Sequence, residues 1–68
     1  MNIRLERVRL GMTQADLAKN IGVSVNTITR WEARPGIIPG AALLAMADLF
    51  GCSADYLLER TDERGRAS

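Results

Sequence analysis

TQADLAKNIGVSVNTITRWE, Thr13 to Glu32, decides how this chain folds. Thr13 is a strong helix N-cap, and Asp16 three residues later closes a short-armed capping box, so a helix starts at Gln14. Leu17, Ala18 and Ile21 recur at helical spacing and form its inward stripe. Gly22 supplies the left-handed stop, with Val23 the apolar residue that folds back after such a stop. Ser24 caps the next helix only two residues later. That is too soon for an antiparallel return, so the two helices cross steeply, as in a helix-turn-helix.

In the second of these helices, at 100° per residue, Ile28 and Trp31 point to one side. Val25, Asn26, Thr29 and Arg30 spread over the other, carrying hydrogen-bonding groups and methyls. Polar residues on a helix face are ordinarily just solvated; the glycine-turn spacing is what marks this face as one presented to a partner. Glu32, beside Trp31 at the edge of the buried side, is the expected partner of Arg7 in a largely buried ion pair joining the first and third helices.

Working outward, Asn2 is expected to cap a first helix running to about Leu10, where Gly11 stops it. Its inward face is Ile3, Arg7 and Leu10, at i, i+4 and i+7. After Glu32 the run ARPGIIP, residues 33–39, reads as a surface loop in which Ile37 and Ile38 are both partly buried. Pro39 is expected to be the first residue of a fourth helix reaching Phe50, with Leu43, Met46, Ala47 and Phe50 inward. Gly51 ends it. Ser53 then caps a last short helix from Ala54 to about Glu59. Tyr56, Leu57 and Leu58 place three large residues on one and a half turns, more than such a helix buries beneath itself, so they are candidates for a dimer interface. TDERGRAS, residues 61–68, reads as a disordered polar tail after a single domain over residues 1–60.

Composition narrows the function. The 68 residues are 47% apolar with three aromatic side chains, Trp31, Phe50 and Tyr56, so aliphatic helix packing has to build the core and an all-α, five-helix bundle is expected. There is no histidine and one cysteine, Cys52. That excludes an internal disulfide, makes a metal site unexpected and leaves no nucleophile–base set for an enzyme. No catalytic residue, cofactor or small-molecule ligand is expected. With no apolar run long enough for a membrane span or signal peptide, the expected location is the cytoplasm. Net charge is only +1, but residues 1–34 hold six basic and three acidic side chains against three and five in residues 35–68. A basic half and an acidic half suit a molecule that meets phosphate on one side.

These residues resemble the Cro/CI-type, or XRE-like, helix-turn-helix regulators over Ile3 to Leu58. The resemblance rests on Arg7, GMTQ at 11–14, LA at 17–18, IGVS at 21–24, TITRWE at 27–32 and MADLFGCSADYLL at 46–58, in that order and spacing. Arg34 stands where the family commonly has glycine, and Pro39 falls about one residue later than the usual proline.

The resemblance implies a lambda-repressor-like bundle that binds double-stranded DNA as a homodimer on a palindromic operator, as small phage repressors do. The helix after the turn would lie in the major groove. Base reading then falls to Val25, Asn26, Thr29 and Arg30, and phosphate contact to Gln14, Ser24, Thr27 and Arg34. Arg4, Arg9 and Lys19 are left as general electrostatics. The competing reading is an antitoxin-like or scaffold module using the same fold to bind another protein through Tyr56, Leu57 and Leu58.

Overall fold

The computed structural model describes residues 1–65. Five α-helices follow one another: α1 Asn2–Arg9, α2 Gln14–Ile21, α3 Val25–Ala33, α4 Gly40–Phe50 and α5 Ala54–Leu57, with a 3₁₀ turn at Pro35–Ile37 between α3 and α4. No strand interrupts them among the described residues. Among the described residues no helix is long and apolar enough to cross a membrane.

A single core gathers one stripe from each helix: Ile3 from α1, Leu17 and Ala18 from α2, Ile28 and Trp31 from α3, Met46, Ala47 and Phe50 from α4, and Tyr56 and Leu57 from α5. Cys52 is fully buried with them and fills an apolar position. Each fully buried Leu, Ile, Phe or Met contributes about 1.5–3 kcal/mol relative to exposure, so this aliphatic cluster is what closes so short a chain.

Several local features differ from those read along the sequence. The N-cap of α1 is Met1, with no side-chain cap bond. Asn2, one residue inside the helix, instead donates from Nδ2 to the Tyr56 carbonyl at 2.8 Å, tying α1 to α5. The helix stops at Arg9, so Leu10 leaves the inward stripe and is exposed. Glu6 takes the buried place between Ile3 and Arg7. In the loop, Ile38 is buried and Ile37 is 46% exposed, because the 3₁₀ turn points the two in different directions. Arg34 sits at φ −140°, where any residue fits, which is why the glycine common at this place is dispensable. Pro39 is the N-cap of α4 rather than its first residue.

The C-terminal end departs furthest from the expectation. Helix α5 ends at Leu57, not Glu59, and Tyr56 and Leu57 are core residues, 7% and 0% exposed. Neither is a surface for a second subunit. Leu58 is half-buried. Within the segment expected to be a disordered tail, the chain turns back on the body: the Arg64 carbonyl accepts from the Ser53 amide at 3.1 Å, and its guanidinium reaches Glu6 and the Phe50 carbonyl. A buried carboxylate needs cationic partners, and one of them comes from this segment. The rest of the expected tail, residues 66–68, lies outside the described residues.

Candidate nucleic-acid interface

Helices α2 and α3 form the site, and the chain between them is fixed at every residue. Thr13 Oγ1 accepts from the Asp16 amide at 3.0 Å while the Asp16 carboxylate accepts from the Thr13 amide at 2.9 Å, the complete reciprocal box. Those hydrogen bonds, the Thr13 amide first, hold the exposed Asp16 carboxyl below its ordinary range. At the other end Gly22 takes φ 86°, and the amides of Gly22 and Val23 both reach the Ala18 carbonyl, at 2.8 and 3.0 Å. Ser24 Oγ accepts from the Thr27 amide at 3.2 Å and starts α3. Two capped helices with a three-residue turn leave almost no freedom in their crossing angle.

The orientation of α3 about its own axis follows from its buried side. Ile28, Trp31 and Glu32 face inward. Arg7 and Glu32, the pair foreseen from spacing, meet at 2.7 Å between Nε and Oε2, with side chains 11% and 9% exposed. Arg7 Nη1 also donates to the Met12 carbonyl at 2.8 Å, so one guanidinium ties together α1, the α1–α2 turn and α3. With those contacts fixed, Val25, Asn26, Thr29 and Arg30 all emerge on the exposed side, in one patch. Among the described residues, Asn26 and Arg30 engage their side chains in no internal hydrogen bond and present their full donor sets outward.

The residues assigned to phosphate lie around this patch. Gln14, half-buried, opens α2 where unpaired amides and the helix dipole favour an anion. A shallow groove lined by Arg4, Gly11 and Thr13 to Ala15 runs beside that helix start. Ser24 and Thr27 sit at the start of α3 with their hydroxyl oxygens 2.9 Å apart. Arg34 is exposed at the far end of α3.

Two residues escaped the reading of the sequence. Glu6 is buried at 3% exposure between the guanidinia of Arg9 and Arg64, at 2.9 and 2.7 Å. The Arg64 hydrogen bonds first, with those of Arg9 behind them, hold its carboxyl below the ordinary 4.5 despite its burial. Arg9 and Arg64 both donate also to the Phe50 carbonyl at the end of α4, where cations suit the helix dipole. Arg9 is therefore a structural clamp and not diffuse charge. Its spacing to Glu6 was visible in the sequence; the approach of residue 64 was not.

A short capped helix, a glycine turn, and a second helix buried on one side and polar on the other define a helix-turn-helix domain. A helix-turn-helix family model matches residues 3–57, and the chain belongs to this family, that of the Cro/CI-type DNA-binding regulators. It is 42% identical over 57 residues to repressor protein C2 of Salmonella phage P22, a match that covers 84% of this chain and 26% of that repressor. The chain thus spans about a quarter of the length of this relative. No solved structure matches significantly.

Proposed function

We propose that the protein represses transcription by binding a palindromic operator as a homodimer, with α3 in the major groove. The observation that carries this reading is the outward patch of Val25, Asn26, Thr29 and Arg30 on a helix held at three separate points, by the Gly22 turn, the Ser24 cap and the Arg7–Glu32 pair. The chemistry of the patch matches base edges: the fork of Arg30 suits the guanine O6/N7 pair, the amide of Asn26 suits adenine N6/N7, and Val25 suits a thymine methyl. Gln14, Ser24, Thr27 and Arg34 then meet phosphates and fix register without reading sequence. The likeness to a phage repressor supports the direction of regulation. In such a dimer the two α3 helices would lie about 34 Å apart, one turn of B-DNA.

Tyr56 and Leu57 are core, so they offer a surface neither to another protein in a scaffold use of the fold nor to a second copy, and a dimer has to pair through other residues. Selection from random duplexes tests the proposal. A two-fold symmetric site is expected, with Arg30→Ala removing the preference for guanine at one position of each half-site, a loss of about 1–3 kcal/mol. No enriched sequence, together with unchanged affinity of Arg30→Ala, would sink it.

A further inference from the structure

The side-chain amide of Gln14 is engaged at both ends. Its Nε2 donates to Glu32 Oε1 at 3.2 Å, and its Oε1 accepts from Thr29 Oγ1 at 3.2 Å. The orientation is forced by chemistry: a carboxylate only accepts, so the nitrogen must face Glu32 and the oxygen must face Thr29. Thr29 therefore donates. Its Oγ1 also lies 3.1 Å from the Val25 carbonyl, a second acceptor within the protein. A hydroxyl has one proton, and here both acceptors in its reach belong to the chain itself. What Thr29 has left for a partner outside is its methyl group and an oxygen lone pair.

Resting on the DNA-reading proposal above, we propose that the relay Arg7–Glu32–Gln14–Thr29 makes Thr29 a specificity-determining residue that meets a base edge with no proton to give and thereby refuses guanine. Guanine presents only acceptors, O6 and N7, to the major groove, whereas adenine and cytosine offer amino donors and thymine offers a methyl. A guanine facing Thr29 leaves its acceptors unmatched unless the relay is broken. Gln14 is the positioning residue, since its amide, anchored on Glu32, holds its oxygen where it accepts the Thr29 proton. The neighbouring Arg30, all donors, has the opposite preference.

The test is selection from random duplexes by the full-length chain and by Thr29→Val, Thr29→Ala and Gln14→Met, each checked for an unchanged melting transition. Thr29→Ala, which removes methyl and hydroxyl together, locates the position read by residue 29. At that position the parent is expected to disfavour guanine about tenfold, the size of one mismatched base, and Thr29→Val, isosteric but without a donor, is expected to keep that bias. Gln14→Met removes one of the two internal acceptors and is expected to readmit guanine there severalfold. Its lost phosphate contact weakens all sequences alike. The inference is overturned if the parent selects guanine at this position and Thr29→Val loses it, if Thr29→Ala changes no position, or if Gln14→Met changes only overall affinity. If no site is enriched by the parent at all, the DNA-reading proposal falls and this one with it, an outcome distinct from the other three.

Discussion

Glu32→Ala removes the anion from the point where three elements meet. In the parent, Glu32 accepts from Arg7 Nε at 2.7 Å, more weakly from Nη2 at 3.5 Å, and from Gln14 Nε2 at 3.2 Å. After the substitution Arg7, whose side chain is 11% exposed, keeps the Met12 carbonyl as its remaining acceptor. A charge stranded in this way costs about 3–5 kcal/mol. A chain of this length has a total stability of about 3–10 kcal/mol, so the variant is left marginal. For a domain of this size each kcal/mol moves the melting midpoint by about 4–8 °C, and the expected fall exceeds about 10 °C.

The pair itself contributes far less than its breaking costs, because both ions were desolvated to form it. Arg7→Met combined with Glu32→Leu is therefore expected to recover most of the loss. Urea denaturation and thermal melting of the parent, Arg7→Met, Glu32→Leu and the double variant close the cycle. The reasoning is refuted if Glu32→Ala stays within about 1 kcal/mol of the parent, or if the double variant loses as much as the two single variants added together.

Three further outcomes follow from the other fixed points. Glu6 is held below its ordinary pKa in the folded chain, so it contributes stability that is fully present above the unfolded value near 4.5 and is lost as pH falls through the folded value; Glu6→Gln should be less stable at neutral pH and show a shallower acid limb in pH-dependent melting. Arg64→Ala removes the largest cause of that shift, so NMR titration should find the Glu6 pKa moved upward, and the Ser53 amide, which donates to the Arg64 carbonyl, should exchange faster. Gly22→Ala should cost about 1–2 kcal/mol in chemical denaturation, all of it from φ 86°, since a Cβ at Gly22 meets no atom within 4 Å.

The sequence by itself determined the parts whose causes are local. Thr13 with Asp16, Gly22 with Val23, and Ser24 act within a few residues of themselves, so the boundaries of α2 and α3 and the exposed face of α3 could be read from spacing. Arg7 and Glu32 were legible because a charge on an otherwise apolar stripe requires a partner of opposite sign. Tertiary structure alone decided what depended on approach between distant segments. Tyr56 and Leu57 looked like too much apolar surface for one short helix, and they are buried because α1 and α4 close over them as well. Glu6 drew no reading from the sequence, because Arg64, which meets its carboxylate, lies 58 positions away along the chain. Where the Thr29 proton goes depends not only on the Val25 carbonyl in its own helix but on an amide fifteen residues away, whose orientation is set by a carboxylate on the neighbouring helix. Hydrogen-bond direction of that kind has no signature in residue spacing, because it is fixed only once three side chains from two helices share one space.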